Sequence, residues 1–316
     1  MTFAQATPLV SVVLRTRNEA RRVRRCLQGV QHQTYSAIEV IVVDNNSTDK
    51  TKAIALEYTQ SVINAGPERA HQGNLGMLQI ASGSYVMYLD ADMILEPGLV
   101  NAAVRYLQSR SDHVGLYINE TVLGRGLWFE ARRFERRAYR GTCIDAVRFI
   151  RRSAVVDVGG FDEASFATPS AEDWDLDRRL SKIGHLAILE YQPESRETWN
   201  PGIYSYLASQ LEHPPEENCG LFHDEVHLTP VVYVRKKTYY LPTLDNYVAK
   251  WGKSDPIVRR QVGPVYRMVR VFLEDRKWKE SLRHPLLVLV IVLSRFAVGF
   301  LFVCKKISRK VKSATR

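Results

Sequence analysis

The stretch that most constrains the fold is Ser84-Tyr85-Val86-Met87-Tyr88-Leu89-Asp90-Ala91-Asp92-Met93. A run of strand-forming residues ends abruptly in two carboxylates one residue apart, and Glu96-Pro97-Gly98 breaks the chain just beyond. Such a run reads as a buried strand, and in open α/β sheets ligands gather off the carboxyl ends of the strands. Two carboxylates delivered to one edge call for a counter-charge. A divalent cation supplies it, since hard oxygen ligands and water suit Mg2+ or Mn2+ bridged to substrate phosphates. A strand-end turn in which Asp90 and Asp92 cap the next helix accounts for the same residues, so the neighbouring motifs must decide.

Those neighbours repeat one pattern. Residues 9–14 are a short apolar run, followed from Asn18-Glu19-Ala20 by helically spaced Val23, Cys26, Leu27 and Val30. Residues 38–43 form a second run ending at Asp44, with a helix expected over 50–58; a third strand is expected at 61–63 and a helix over 73–81. Strands alternating with helices from 9 to about 108 predict right-handed βαβ units in an α/β, doubly wound, mainly parallel sheet with helices on both faces. Thr16 and Asp44 then fall on the same sheet edge as Asp90. A carboxylate there can accept from a nucleobase N–H and a hydroxyl can read its carbonyl; taken alone Asp44 reads as a turn or helix cap, and its conjunction with Asp90-Ala91-Asp92 turns the reading to the nucleobase.

Beyond the repeat, residues 127–139 interleave Arg132, Arg133, Arg136 and Arg137 with Trp128, Phe129, Phe134 and Tyr139. A solvated basic helix face is expected, with a surface for an anionic acceptor as the other reading. Residues 171–180 are helical with acids in the first turn, which the helix dipole favours; a carboxylate there, facing the metal site, is also placed to take a proton from an attacking hydroxyl. Lys236, Lys237, Tyr239, Tyr240, Tyr247, Lys250 and Trp251 suggest an acceptor-side or membrane-facing surface.

Charge separates the tail from the body. The net charge is +10, but fifteen of the 44 Lys and Arg and only three of the 34 Asp and Glu lie from Arg259 onward. The rest is slightly acidic, which excludes nucleic acid as its partner by charge. Residues 286–304 are apolar except Ser294 and Arg295, close to the length that crosses a bilayer. A central arginine opposes insertion by about 2.5–3.5 kcal/mol unless it is paired or snorkels. Basic residues on both flanks remove any orientation signal, so a helix embedded from the cytosolic side, or paired with a basic amphipathic stretch over 259–283, is expected over a single span. The polybasic end suits anionic lipid. Four scattered cysteines and no apolar run before Pro8 lead to the expectation of a membrane-associated protein with a cytoplasmic catalytic domain.

Residues 10–19, Val43-Asp44-Asn45-Asn46-Ser47-Thr48-Asp49, Glu68-Arg69-Ala70 with Asn74-Leu75-Gly76, Ala81-Ser82-Gly83-Ser84-Tyr85 running into Asp90-Ala91-Asp92, Gly159-Gly160-Phe161-Asp162 and Glu172-Asp173 together resemble the ordered motifs of family 2 glycosyltransferases of the GT-A fold. The resemblance covers about residues 8–190. It implies that Thr16 and Asp44 contact the base of a nucleotide-sugar, that Asp90 touches the ribose or the metal's water shell, that Asp92 binds the metal and that Asp173 is the general base. Arg69 is assigned to the nucleotide, Glu172 and Trp174 to the acceptor side, and His223 resembles the late histidine that completes the metal site in some members; a structural hydrogen-bonding histidine is its other reading. Arg15 and Arg17 stand where Pro and Tyr are usual, and Asn45-Asn46 where Asp-Gly is usual.

The organisation expected is a catalytic domain over 1–230 (8–108 for the nucleotide-sugar, 109–230 for the acceptor), a basic and aromatic helical extension over 231–284, and a hydrophobic helix with a polybasic end over 285–316. The function implied is metal-dependent inverting transfer of a sugar to a hydroxyl or phosphate of a lipid-linked or membrane-proximal glycan. Two other readings are a catalytically silent, membrane-tethered nucleotide-sugar-binding protein and a sugar-phosphate nucleotidyltransferase. The latter wants a Gly-rich loop after the first strand, where Thr16-Arg17-Asn18-Glu19 offers none.

Overall fold

The structure, a computed structural model, describes residues 7–166, 171–212 and 220–314; Cys219, the side chains of Tyr239 and Tyr240 and those of the polybasic end lie outside the described residues. The chain runs β1 (Val10–Thr16), α1 (Val23–Gln31), β2 (Ile38–Asp44), α2 (Thr51–Ala55), β3 (Val62–Asn64), α3 (Arg69–Asn74, continued as π-helix over Leu75–Ile80), β4 (Tyr85–Asp90), β5 (Met93–Leu95) and α4 (Leu99–Gln108). Next come β6 (His113–Tyr117), β7 (Glu120–Val122), α5 (Leu127–Tyr139), β8 (Val147–Arg151), α6 (Arg152–Asp157), α7 (Glu172–Leu180), β9 (His185–Ile188), α8 (Pro201–Gln210) and β10 (Leu221–His223). Helices α9 (Pro230–Trp251), α10 (Pro256–Val262), α11 (Pro264–Met268), α12 (Trp278–Arg283) and α13 (Pro285–Ala314) complete it.

Seven strands form one sheet in the order β3-β2-β1-β4-β8-β6-β9, parallel except that β8 runs against β4 and β6. The continuous apolar runs of β1 and β4 take the centre, where both faces are covered and every residue of β1 is buried. Register then aligns the strand ends: Thr16 lies opposite Asp44, and Arg15 opposite Asp90. A second, three-stranded sheet, β5-β10-β7, hangs from the end of β4.

Several elements depart from expectation. The helix expected over 73–81 starts at Arg69 and changes to π-helix at Leu75. At Gly76 this segment presses on β1 so closely that a Cβ would collide with the Val13 side chain. The segment 259–283 is not one amphipathic helix. Pro264 restarts the chain after α10, and Asp275 and Arg276 take positive φ of 51° and 61°, which breaks it again.

The basic face of α5 is not solvated either. Arg132 and Arg133 are each 7% exposed. Arg133 donates to the carbonyls of Val122 and Gly124 and pairs with Glu130, while Arg132 pairs with Glu135 and Glu225. Stem packing and buried carboxylates thus outcompete water for these guanidiniums.

α13 docks on this same helix. Ile291, Leu287, Val288 and Val290 pack with Phe134, Tyr139, Tyr266 and Phe272. Arg295 does not sit unpaired in lipid: it pairs with Glu135 and donates to the Tyr139 hydroxyl at 2.7 Å. The opposite face, with Leu289, Leu293, Phe296 and Phe300, is exposed.

Glu135 is 2% exposed. Burial would raise its pKa, but Arg295 and then Arg132 outweigh it and hold the carboxyl at about 2. A lowered acid pKa contributes stability that is present above the unfolded value of 4.5 and is lost as pH falls towards 2. Glu135→Ala strands the Arg295 guanidinium, while Arg132 keeps Glu225, and is expected to cost about 3–5 kcal/mol in urea unfolding at pH 7. A loss below about 1 kcal/mol, the scale of an exposed pair, would show that this carboxylate does not hold α13.

Candidate functional site

A cavity of about 440 Å3 opens at the carboxyl edge of the main sheet, and Arg15, Thr16, Asp90 and Asp92 form one wall of it. β4 delivers Asp90 to this edge. There its Oδ1 accepts from Arg15 Nη2 at 3.0 Å and from Arg69 Nη2, the latter reaching in from α3. Burial alone would raise the carboxyl's pKa; Arg69, then Arg15 and Arg148, outweigh it and hold Asp90 well below the carboxylate range.

Asp92 follows in the turn between β4 and β5. β10 pairs with β5 so that His223 lies opposite Met93, and the Asp224 N–H donates to the Asp92 carbonyl at 2.7 Å. This ladder is what brings His223 to Asp92 from far along the chain. Its Nε2 lies 3.3 Å from Asp92 Oδ1, while Nδ1 faces Glu120 Oε2 of β7 at 3.6 Å. Burial opposes charge on the ring, but Asp92, then Glu120 and Glu225, push its pKa up to about 10. Glu120 is the member that sequence reasoning missed. Nothing in the short strand Glu120-Thr121-Val122 marks it, and its place behind His223 arises only from the pairing of β7 with β10.

Asp173 occupies the first turn of α7, where its Oδ1 accepts from the buried Tyr88 hydroxyl of β4 at 3.2 Å. Glu172 is buried beside it, and Trp174 Nε1 donates to the Ile144 carbonyl at 3.1 Å. Both line the same cavity. The motif Asn74-Leu75-Gly76 acts behind this wall. The Asn74 amide accepts from Phe161 N–H at 2.7 Å and donates to the Phe161 carbonyl at 2.8 Å, next to the positive-φ Gly160. Phe161 is thereby set edge-on to Tyr88, with the Arg15 guanidinium over both rings.

Of the residues singled out from sequence, Thr16, Arg69, Asp90, Asp92, Glu172, Asp173, Trp174 and His223 meet in this cavity, whereas Asp44 is not on its wall. Asp44 is wholly buried. Its carboxylate accepts from Thr16 Oγ1 at 2.8 Å, from Ser47 N–H at 2.8 Å and from Ser47 Oγ at 2.6 Å, the hydrogen bonding of a turn-forming residue.

The donor set suits a divalent cation held partly by substrate. Among the described residues no group of three or more His, Cys, Asp or Glu could hold an ion unaided. Asp92 Oδ1 is nevertheless buried without a hydrogen-bond partner, His223 turns Nε2 towards it at 3.3 Å, and Glu120 lies on the Nδ1 side of the ring, behind it. Two protein ligands, with phosphate oxygens and water for the rest, match Mg2+ or Mn2+ chemistry.

Comparison with known proteins places this geometry. Residues 11–161 match the model of glycosyl transferase family 2. Glycosyltransferase AglE of Haloferax volcanii is 40% identical over 94 residues, covering 27% of this chain and 31% of that protein. EpsH of Bacillus subtilis, also named as a glycosyltransferase, is 29% identical over 115 residues, covering 34% and 33%. The chain thus spans about a third of the length of these relatives. Among solved structures, mannosyltransferase PcManGT of Pyrobaculum calidifontis, in complex with GDP-Man and Mn2+, aligns over 96% of this chain and 89% of its own at TM-score 0.60 and 16% identity. Residues 1–349 of S. aureus TarS align over 90% and 81% at TM-score 0.51 and 16% identity. The fold is that of GT-A glycosyltransferases.

Because His223 carries its proton up to about pH 10, it must release that proton to become a ligand. Mn2+ titrated calorimetrically with a nucleoside diphosphate at pH 7.5, in buffers of different ionisation enthalpy, is expected to release close to one proton, and His223→Gln to abolish the release. Proton-neutral binding by the wild type would remove His223 from the ligand set.

Proposed function

We propose that this chain is a metal-dependent inverting glycosyltransferase that moves a sugar from a nucleotide-sugar donor to a hydroxyl or phosphate of a lipid-linked or membrane-proximal acceptor. The observation that carries the reading is the meeting of Asp90, Asp92, His223 and Asp173 in one cavity at the carboxyl edge of a GT-A sheet. The match of residues 11–161 to glycosyl transferase family 2 supports it.

In this reading Thr16, Arg69 and Asp90 hold the nucleotide, and Asp44 sets the base-facing loop through its bonds to Thr16 and Ser47. Asp92 and His223 would hold Mg2+ or Mn2+, and the ion would supply positive charge to offset the negative charge developing on the departing diphosphate. Asp173 takes the proton of an acceptor hydroxyl as that oxygen attacks the anomeric carbon from the face opposite the diphosphate. The Tyr88 hydroxyl, fixed in the core by β4, orients the Asp173 carboxylate for that transfer.

The tail gives the site its location. The segment Pro285–Cys304 is long and apolar enough to cross a membrane, with a mean hydropathy of 2.7. Its inner face is already committed to α5 by Arg295 and Ile291, while the outer face offers only apolar side chains. That division suits a helix lying in the interface, apolar face in the acyl region, better than a span with lipid all around it.

Two experiments test these statements. With a panel of nucleotide-sugars, Mn2+ and a lipid-linked acceptor extract, Asp173→Asn is expected to lower kcat by about 10²–10⁴-fold while donor binding persists. Asp92→Ala and EDTA treatment are expected to abolish metal-dependent nucleotide release. Donor binding without turnover on any acceptor would favour the silent binding protein, and full activity of Asp173→Asn would remove the base. In flotation with anionic liposomes, Phe296→Glu combined with Phe300→Glu is expected to leave the protein in the dense fraction; undiminished flotation would overturn the interfacial placement.

A further inference from the structure

The cavity has a second pole that the donor-side reading leaves unused. Lys236 and Lys237 of α9, Arg267 of α11, Arg295 of α13 and Arg132 of α5 meet there, against the two carboxylates Glu135 and Glu225. We propose that Lys237, Arg267 and Arg295 form an anion subsite for the acceptor, holding a phosphate or diphosphate carried on a hydrocarbon chain. This rests on the glycosyltransferase reading of the same cavity.

The cations here outnumber the acids that could neutralise them. Neither Lys237 nor Arg267 makes an ion pair with a described carboxylate. Arg267 lies instead over the Tyr139 and Trp174 rings, 5.6 Å and 5.7 Å from their centroids, and Lys237 lies 5.5 Å from that of Tyr233. The Nε atoms of Arg267 and Arg295 are buried with no hydrogen-bond partner. Burial, then the repulsion of Arg132, Arg267 and Arg295, drives the Lys237 ammonium well below the ordinary lysine value. Half-buried cations without a paired carboxylate, as Lys237 and Arg267 are, gain from an anionic ligand, and arginine forks fit phosphate oxygens in pairs.

The surroundings specify what carries the anion. Arg295 points inward from the helix whose outward residues Leu289, Leu293, Phe296 and Phe300 are 51–69% exposed. The subsite therefore lies directly beneath an apolar surface, and an amphiphile can place its phosphate inside while its chain stays against that face. On the inner side, the contact of Arg267 with Trp174 brings the subsite next to Asp173, where the acceptor oxygen is required.

The test uses the full chain in nanodiscs of zwitterionic lipid, titrated calorimetrically with geranyl phosphate, geraniol or inorganic phosphate, and separately with a nucleoside diphosphate plus Mn2+. Geranyl phosphate is expected to bind at least tenfold more tightly than either other probe. Lys237→Gln and Arg267→Gln should each weaken it about tenfold, Arg267→Lys should retain most of it, and nucleotide binding should be unchanged in all three, which also reports that they are folded. Inorganic phosphate binding as tightly as geranyl phosphate would overturn the hydrocarbon-borne source, and geraniol binding as tightly would overturn the anion subsite. Wild-type affinity in both glutamine variants would overturn the assignment to these residues. Loss of nucleotide binding by the wild type would instead sink the glycosyltransferase reading.

Discussion

The orientation of α13 depends on one buried carboxylate. Glu135 has Arg132 of its own helix on one side and Arg295 of α13 on the other, with the Tyr139 hydroxyl donating to it at 3.2 Å. A buried charge pair is a weak source of net stability but a strong source of geometry, because breaking it leaves an unpaired ion in a dry place. α13 can therefore neither rotate about its axis nor leave α5 without stranding a guanidinium. Its division into a packed face and an apolar exposed face follows from that fixed rotation.

The other end of the cavity obeys the same electrostatics. Carboxylates collected at the ends of β4 and α7 would repel one another, and each is answered by a cation or donor from a different element: Arg15 and Arg69 at Asp90, His223 at Asp92, Tyr88 at Asp173. Strand register fixes these partners before any ligand arrives. Donors and charges set in place by a rigid scaffold need little reorganisation during reaction, and that is where such sites gain most of their effect.

What the sequence made legible was local. The runs at 9–14, 38–43 and 85–89 are apolar because their strands are covered on both faces, so their ends, and with them Thr16, Asp44 and Asp90, could be put on one edge without coordinates. His223 could be singled out by type, but only the pairing of β10 with β5 shows what it meets. Glu120 carried no local signal at all. The α5 arginines misled for a related reason: a basic run interleaved with aromatics looks solvated unless the acids that neutralise it are known, and Glu225 lies far along the chain. Arg295 was legible as a problem, a charge inside an apolar stretch, and the structure supplies the partner. Asp44 shows the opposite limit. A carboxylate at a strand end fits base recognition and turn formation alike, and its three hydrogen bonds to Thr16 and Ser47 show the turn without deciding what the loop recognises.

The two poles of the cavity differ in a way that bears on the order of events. At the donor pole acids and cations are matched, and a metal with its diphosphate adds charges that nearly cancel. At the opposite pole neither Lys237 nor Arg267 pairs with a carboxylate among the described residues, and Glu135 is shared among Arg295, Arg132 and Arg267, so an anion improves the balance there. An acceptor phosphate bound at that pole would bring its adjoining oxygen towards Asp173 without crossing the diphosphate, whose own negative charge would repel it from the donor side. Trp174, next to Asp173 in the chain and under the Arg267 guanidinium, is the side chain that joins the two poles, so an acceptor held at Arg267 would lie beside the Asp173 carboxylate.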